Sequence, residues 1–302
     1  MLDPFFRWVT LSGSLFVLVA IIGILLTLVE GSLPALEKFG VGFLFSSEWN
    51  PYTHEYGALS SVYGTLVSTL IAMLIAVPLA LVIALFLVEL AHPAISRVVG
   101  GAIELLAAIP SIIFGMWGLF VFAPFLADHV QPRLADLAPG FPLFEGPPMG
   151  IGMLSAGIIL ALMILPFITS VTRDVFQMVP SVVKESAYGM GSTTWEVTRK
   201  VTIPYGIQGV VGACFLGLGR AIGETMAVTF VIGNSHHISA SLFAAGNSIA
   251  STLANEFTEA ADEIYLAALI ELGLVLFGLS LILQIIARWW LNRTAKRLGA
   301  VR

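Results

Sequence analysis

The sequence predicts an all-α membrane protein with six membrane-spanning helices, and three observations support this fold class. The 302 residues are 58% hydrophobic and 11% charged, whereas a soluble domain usually carries about 25% charged residues. Several apolar runs reach the roughly 20 residues that an α-helix needs to cross the hydrocarbon core. The period-two alternation that is typical of membrane β-barrels is weak, so we expect a single polytopic helical domain.

Six apolar segments follow one another along the chain. They cover residues 8–29, 59–88, 98–126, 151–171, 205–233 and 264–289. The first is too long for the core of a signal peptide and ends at Glu30 without a clear cleavage site, so we expect it to be retained. Five prolines between residues 128 and 150 predict an irregular connection there rather than a long helix.

Basic residues are divided unevenly between the two ends of these segments. Eleven lysines and arginines fall on one side, whereas the other side has only Lys38 and Arg133 among ten acidic residues. The positive-inside rule therefore predicts that both termini and the segment 180–204 are cytoplasmic. We expect an N-terminal transmembrane helix (1–30), a periplasmic interfacial segment (31–57), a five-helix transmembrane domain (58–290) and a basic cytoplasmic tail (291–302). The aromatic side chains of the interfacial segment predict a position on the membrane surface; they include Trp49, Tyr52 and Tyr56.

Residues 180–204, PSVVKESAYGMGSTTWEVTRKVTIP, form a polar interruption between two apolar segments. Residues 182–188 can form a short helix, and Gly189 and Gly191 permit the positive φ of a sharp turn after it. The segment resembles the EAA loop of ABC importer permeases, in which Glu-Ala-Ala is followed by three residues, Gly, nine residues and Ile-x-Leu-Pro. The matching residues are Glu185, Ala187, Gly191 and Pro204, and the conservative departures are Ser186, Val201 and Ile203.

The resemblance implies that this short helix docks into a groove on an ATP-binding subunit. The alternative interpretation is an ordinary cytoplasmic loop that is rich in glycine and proline. The chain has no G-x-x-x-x-G-K-[ST] phosphate loop and no Gly-Lys pair. We therefore expect no cofactor in this chain and assign ATP and Mg to a partner subunit.

Two charged residues lie inside the fifth apolar segment. Arg220 is about 15 residues from its cytoplasmic start, or roughly 22 Å along a helix axis. A central arginine costs about 2.5 to 3.5 kcal/mol on insertion scales, so it should face protein or water. Glu224 follows at the i,i+4 spacing that places two side chains on one helical face. The pair is either a structural ion pair that fixes helix register or a site where the guanidinium meets a passing oxyanion.

Residues 217–234, GLGRAIGETMAVTFVIGN, resemble the signature of the phosphate-specific importer permeases of the PstC and PstA type, and residues 63–89 and 104–122 extend the similarity. The resemblance implies a type I ABC importer permease fold and a role for Arg220 and Glu224 in phosphate passage. It also implies a homologous second permease, two ATP-binding subunits and a soluble phosphate-binding protein as partners, in the lipid of a bacterial cytoplasmic (inner) membrane. The chain would be a transport subunit and not an enzyme.

Three further residues are candidates for the pathway or its gate: Pro110, Glu104 and Glu271. Glu104 lies within about two turns of the cytoplasmic flank, where interfacial pairing is expected more than substrate contact. Glu271 lies about 10 Å into the last helix and is either a vestibule residue or a helix-packing acid. Pro110 predicts a kink, and the resemblance would make it part of the pathway wall.

The five histidines and the single cysteine, Cys214, show no metal-ligand spacing. We therefore predict no metal site and interpret His236 and His237 as surface residues. No extended basic patch is present, so nucleic-acid binding is not expected.

Three alternatives to phosphate import stay open. An ABC permease for another oxyanion, such as sulfate, molybdate or phosphonate, would share this general pattern. An ion-driven secondary transporter would use the buried charged pair as its coupling site. A membrane-embedded lipid-modifying enzyme would need a nucleophile, a base and an orienting group, and the sequence offers no such set.

Overall fold

The protein is described from a computed structural model that covers residues 2–297. Six helices in this range are long and apolar enough to cross a membrane, as predicted. In chain order the helices are α1 (Leu2–Phe39), α2 (Gly42–Phe45), α3 (Leu59–Leu90), α4 (Pro93–Ala107), α5 (Ser111–Leu137), α6 (Met153–Gln177), α7 (Ser181–Gly189), α8 (Thr194–Ile222), α9 (Met226–Val231), α10 (Ile249–Glu256) and α11 (Glu263–Arg297). A short antiparallel hairpin between α2 and α3 pairs β1 (Trp49–Asn50) with β2 (Glu55–Tyr56).

Some of the long helices contain π turns, in which the backbone hydrogen bond spans one residue more than in an α-helix. One such turn, Phe86–Leu90, ends α3, and another, Thr198–Thr202, lies near the start of α8. Two more lie within α5, at Gly118–Phe122 and Leu126–Val130.

The main core lies where α3, α6 and α8 meet. α3 presents a small residue at every fourth position of its buried face, and the fully buried members are Ala72, Ala76, Ala80 and Ala84. Gly157 of α6 lets α3 approach closely, since an added Cβ would lie 2.5 Å from Ile71. Gly217 of α8 likewise lets α6 approach closely, since an added Cβ there would lie 2.7 Å from Ile168. Lipid supplies no hydrophobic force between membrane helices, so close contact between small residues stabilises such a bundle.

The predicted span 98–126 has the wrong bounds. α4 ends at Ala107, α5 begins at Ser111, and the membrane-length helix continues to Leu137. Pro110 causes the break, because it lacks an N–H and holds an extended ψ of 137° just before α5. The irregular connection predicted for 128–150 is thus limited to the residues after Leu137. Pro132 lies within this helix, directly after the π turn Leu126–Val130, so its missing N–H falls where the backbone hydrogen bonding already departs from the α pattern.

The predicted span 205–233 is not continuous either. α8 ends at Ile222, and α9 begins only at Met226. Gly223 at the break is among the poorest helix formers, at about 1 kcal/mol less favourable than alanine. In addition, the Glu224 carboxylate takes the N–H of Ala227 at 3.2 Å, a donor that a continuous helix would pair with the carbonyl of residue 223.

Both terminal helices are longer than predicted. α1 continues beyond residue 30 to Phe39, so the predicted interfacial segment 31–57 begins as helix. α11 continues to Arg297, so most of the predicted tail 291–302 is helical. Residues 298–302 of that tail lie outside the described residues.

The rest of the segment 31–57 packs against α10 and α11. Phe43 is fully buried, and Tyr56 stacks on Tyr265 with ring centroids 5.2 Å apart. Burial and the nearby carboxylates of Asp262 and Glu256 raise the pKa of Tyr56 to about 12. Tyr56 therefore packs inside the protein, where the aromatic residues form a second core at this end of the bundle, and the position of the segment on the membrane surface stays a prediction. Tyr52 alone among the three named aromatic residues projects freely, with 95% of its surface exposed.

Candidate functional site

The polar loop 180–204 forms a helix, a turn and a second helix, as predicted. α7 ends at Gly189, and the chain reverses through Gly191, whose φ is +85°. The next helix, α8, begins with a capping box, in which Thr193 and Glu196 each accept the other's backbone N–H. Gly189 stays helical, so the positive φ predicted for both glycines occurs only at Gly191.

α7 has one buried side chain, Ala187, which faces the bundle. Glu185 is exposed, and so are several apolar side chains of the loop: Val182, Val183, Tyr188 and Met190. Solvent-exposed apolar residues that cluster on a protruding helix are typical of a protein contact surface. Pro204 lies within α8, directly after the π turn Thr198–Thr202, so its missing N–H falls where the backbone hydrogen bonding already departs from the α pattern. The structure thus brings three predicted coupling residues, Glu185, Ala187 and Gly191, into one projecting element.

Glu89 is a residue of this region that sequence reasoning missed. Its Oε1 accepts hydrogen bonds from Lys184 Nζ at 2.7 Å and from Thr202 Oγ1 at 2.8 Å. The sequence signal was only a carboxylate at the end of an apolar run, and its main partner is 95 residues further along the chain.

Arg220 lies in the last turn of α8 and is half-buried. Its guanidinium lies over the ring of Phe167 of α6, 5.9 Å from the ring centroid, which is within the range of a cation–π contact. No carboxylate among the described residues lies within 4.0 Å of Arg220, so the predicted ion pair with Glu224 is not formed. The i,i+4 geometry is lost because α8 ends between the two residues, and Glu224 hydrogen-bonds the start of α9 instead.

The break between α8 and α9 places irregular backbone deep in the predicted membrane region. Such backbone is tolerated there only where it is buried in protein or lines a water-filled cavity, because lipid cannot satisfy its polar groups. Ile222 is buried and Gly223 is exposed. The arrangement presents the Arg220 guanidinium, without a bound carboxylate, beside a stretch of backbone that needs polar neighbours.

The three remaining candidates lie in different places. Glu104 of α4 pairs with Arg173 of α6 at 2.6 Å, so the expected interfacial pairing exists. Pro110 occupies the break between α4 and α5. Glu271 is 5% exposed, and one of its carboxylate oxygens has no hydrogen-bond partner. It borders an apolar cavity of about 530 Å³ formed by α1, α2, α3 and α11, so the structure does not bring it to the end of α8.

Residues 76–296, which include the second half of α3, α7, both parts of the broken helix and almost all of α11, match the family described as binding-protein-dependent transport system inner membrane component. The chain belongs to this family. It is therefore a multi-pass inner-membrane transport component rather than an enzyme, and membership implies ATPase and binding-protein partners.

Two relatives of this permease cover almost its whole length. The phosphate transport system permease protein PstC of Mesorhizobium japonicum is 54% identical over 302 residues, which is 99% of this chain and 92% of that protein. The PstC of Pasteurella multocida is 50% identical over 302 residues, with 99% and 94% covered. The predicted resemblance to PstC-type permeases is thus confirmed.

A solved structure supports the fold of the permease. A bacterial alginate ABC transporter, crystallised with an alginate pentasaccharide-bound periplasmic protein, matches 96% of this chain and 95% of its own chain with a TM-score of 0.62. The sequence identity is 16%, so the likeness concerns the fold alone. The predicted ABC importer permease fold is confirmed.

A second polar cluster of the permease surrounds Glu256 at the end of α10. Trp49, Tyr265 and His236 all hydrogen-bond its carboxylate, with 2.8 Å from the Tyr265 hydroxyl and 3.0 Å to His236 Nε2. Burial opposes ionisation of Glu256, but these hydrogen bonds outweigh it and hold the pKa of Glu256 below its ordinary value. His236 also stacks on Trp49 and is half-buried within this cluster, whereas His237 is exposed as predicted. Within residues 2–297 no cluster has the composition of a metal site.

Proposed function

We propose that the chain is the permease subunit of an ATP-driven importer of inorganic phosphate. The observation that carries the proposal is the 54% identity to a phosphate transport permease over the whole length of this chain. At this level of identity we expect the two proteins to share both the fold and the helices that line the transport pathway. The match includes the stretch 217–234, where Arg220 lies.

Arg220 is the residue that we assign to the substrate. Arginine carries five N–H donors in a planar fork that suits the oxygens of a tetrahedral oxyanion. The absence of a carboxylate within 4.0 Å, among the residues described, leaves its charge available for an anion. Glu224 would act through the backbone, since it caps the start of α9 and so holds the break beside Arg220. Pro110 and Glu104 are assigned to the pathway wall and its cytoplasmic flank, and Glu271 to helix packing.

The assembly that we propose has this chain as one half of the pathway and a homologous permease as the other. Two ATP-binding subunits would dock on α7 and the turn at Gly191, and a soluble phosphate-binding protein would deliver the anion on the opposite side. Both termini would be cytoplasmic, in agreement with the distribution of basic residues. The predicted division at residues 30, 57 and 290 would separate an accessory first helix from the helices of the pathway.

A test of the substrate compares Arg220→Lys with the unaltered chain in the reconstituted complex. Lysine keeps the charge but loses the fork, so phosphate uptake should fall about tenfold while complex assembly is unchanged. Uptake of radiolabelled phosphate and sulfate into proteoliposomes provides the measurement.

The control for this test is Arg97→Lys, the same change at an exposed arginine of α4, which should leave uptake unchanged. Unaltered phosphate uptake in Arg220→Lys would remove Arg220 from the substrate path. Uptake of sulfate in preference to phosphate by the unaltered complex would replace phosphate by another oxyanion.

A further inference from the structure

Glu89 joins three elements of the permease through one oxygen atom. It lies in the π turn Phe86–Leu90 at the end of α3. Its Oε1 accepts from Lys184 of α7 at 2.7 Å and from Thr202 of α8 at 2.8 Å. The end of one membrane helix, the projecting helix and the start of another membrane helix therefore meet at this carboxylate.

The contact between Glu89 and Lys184 is buried. The Glu89 side chain is 6% exposed and that of Lys184 is 17% exposed. Removal of one partner from such a pair leaves an uncompensated buried charge, which makes the pair difficult to separate. By contrast, Glu196 and Lys200 lie 3.6 Å apart on the same loop with side chains 44% and 72% exposed, and such surface pairs contribute little.

α7 has few other attachments to the bundle. Ala187 is its one buried side chain, and the neighbouring apolar side chains face outward. The backbone connects α7 to α6 through residues 178–180 and to α8 through the turn at Gly191. Lys184 is thus the charged side chain by which α7 is held to the membrane helices.

In the junction of Glu89, Lys184 and Thr202, the two residues that belong to membrane helices both lie in π turns. Glu89 lies in one, and Thr202 lies in the π turn Thr198–Thr202. A π turn is locally wider than an α-turn, occurs frequently at functional sites and is a common place for a helix to kink. The junction therefore connects α7 to the sections of α3 and α8 whose backbone hydrogen bonding departs from the α pattern.

We propose that Glu89 is the positioning residue that transmits movement of α7 to α3 and α8 when the ATP-binding subunits move. Glu89 touches neither substrate nor nucleotide and acts through Lys184 and Thr202. Since the same carboxylate holds both, displacement of α7 draws the end of α3 and the start of α8 together as one unit. This inference rests on the proposed function, because it requires that α7 docks the ATP-binding subunits.

The test uses the complete complex in proteoliposomes: this chain, the second permease, the ATP-binding subunits and the phosphate-binding protein. The variants are Glu89→Ala, Glu89→Gln, Glu89→Lys, Lys184→Ala and the exchange that combines Glu89→Lys with Lys184→Glu. The readout is phosphate imported per ATP hydrolysed, together with the stimulation of ATP hydrolysis by the phosphate-loaded binding protein. A residue that merely stabilised the fold would lower the yield of complex without changing these ratios.

We expect Glu89→Ala and Lys184→Ala to lower the phosphate-to-ATP ratio about fivefold each, since each removes a charge-assisted buried contact. Glu89→Gln keeps the shape and one acceptor oxygen, so it should assemble normally and lower the ratio about twofold. The charge exchange should restore most of the loss seen with Glu89→Lys alone. The matched control is Lys38→Ala, a lysine at the opposite end of the bundle that hydrogen-bonds the carbonyl of His54, and its ratio should equal that of the unaltered complex.

An assembled Glu89→Gln complex with an unaltered ratio would overturn the inference, and so would an exchange variant that performs no better than Glu89→Lys. If the alanine variants fail to assemble, the phosphate-to-ATP ratio of the Glu89→Gln complex tests the inference. Failure of the proposed function has a different signature, because the unaltered complex would then import no phosphate at the expense of ATP.

Discussion

At residue 191 the backbone has a φ of +85°, and this value, rather than packing, makes the position specific for glycine. An added Cβ would meet nothing within 4 Å. The cost of another residue there is therefore conformational, at about 1 to 2 kcal/mol. Such a substitution would destabilise the turn that orients α7 relative to the bundle.

We expect Gly191→Val to weaken co-purification of the ATP-binding subunits about tenfold, because β-branched residues are the least tolerant of positive φ. Insertion of the chain into the membrane should be unchanged, and Gly191→Asn should be intermediate. Pull-down of the assembled complex at graded concentrations of the ATP-binding subunit measures this.

Gly189→Ala is the matched control for Gly191, because Gly189 is helical and has equally open surroundings. Alanine should be tolerated there or slightly stabilise α7. Equal losses of binding at positions 189 and 191 would show that the glycines matter for a reason other than backbone conformation.

Residue identity predicted part of the site and could not predict the rest. The spacing of Glu185, Ala187 and Gly191 is local, so a motif could locate them. The pairing of Arg220 with Glu224 assumed a continuous helix and was wrong, because the helix ends at Ile222. The contacts of Glu89 and of His236 depend on partners far away in the chain, and no local pattern encodes them.

At the level of elements, α3 is the helix that connects the main core to the segment before α10. Its buried alanines pack in the main core with α6, and nearer its start the helix contacts the irregular segment that precedes α10. Gly64 marks that second contact, since a Cβ there would lie 1.6 Å from the backbone carbonyl oxygen of Asn247. The backbone of Asn247 cannot move far, because its side chain hydrogen-bonds Ser251 and His236.

Gly64→Ala should therefore lower the thermal unfolding temperature of the purified complex, with a destabilisation of about 3 kcal/mol, at the upper end of the range for overpacked cores. Gly212→Ala in α8 is the control, since nothing lies within 4 Å of its added Cβ. Thermal unfolding in detergent, followed by tryptophan fluorescence, compares the two. Equal unfolding temperatures would show that α3 and the segment before α10 are not in close contact.

Composition predicted which elements cross the membrane but not where they break. Apolar runs long enough to span lipid are a property of 18 or more residues together, and all six were found. A break depends on one or two residues: Pro110 separates α4 from α5, and Gly223 with Glu224 separates α8 from α9. Hydropathy averages over such positions, so the bounds of these two spans were the least accurate.

At the level of the whole molecule, the distribution of basic residues predicts which side of the membrane each end faces. Met190 and Tyr52 lie at opposite ends of the bundle and are 82% and 95% exposed. In a chain with Cys214→Ala, Met190→Cys should react with a membrane-impermeant maleimide only in inverted vesicles. Tyr52→Cys should react in right-side-out vesicles. The reverse labelling pattern would contradict the predicted orientation.

α1 has a further consequence for how the permease sits in its bilayer. Its 38 residues correspond to about 57 Å of helix, nearly twice the roughly 30 Å of the hydrocarbon layer. Its apolar part, residues 8–29, already matches that thickness, and its last ten residues lie beyond it. Hydrophobic mismatch in a thinner membrane would therefore be absorbed by tilt of the apolar part. The last ten residues of α1, which pack against the hairpin and α11, would extend about 15 Å beyond the hydrocarbon layer.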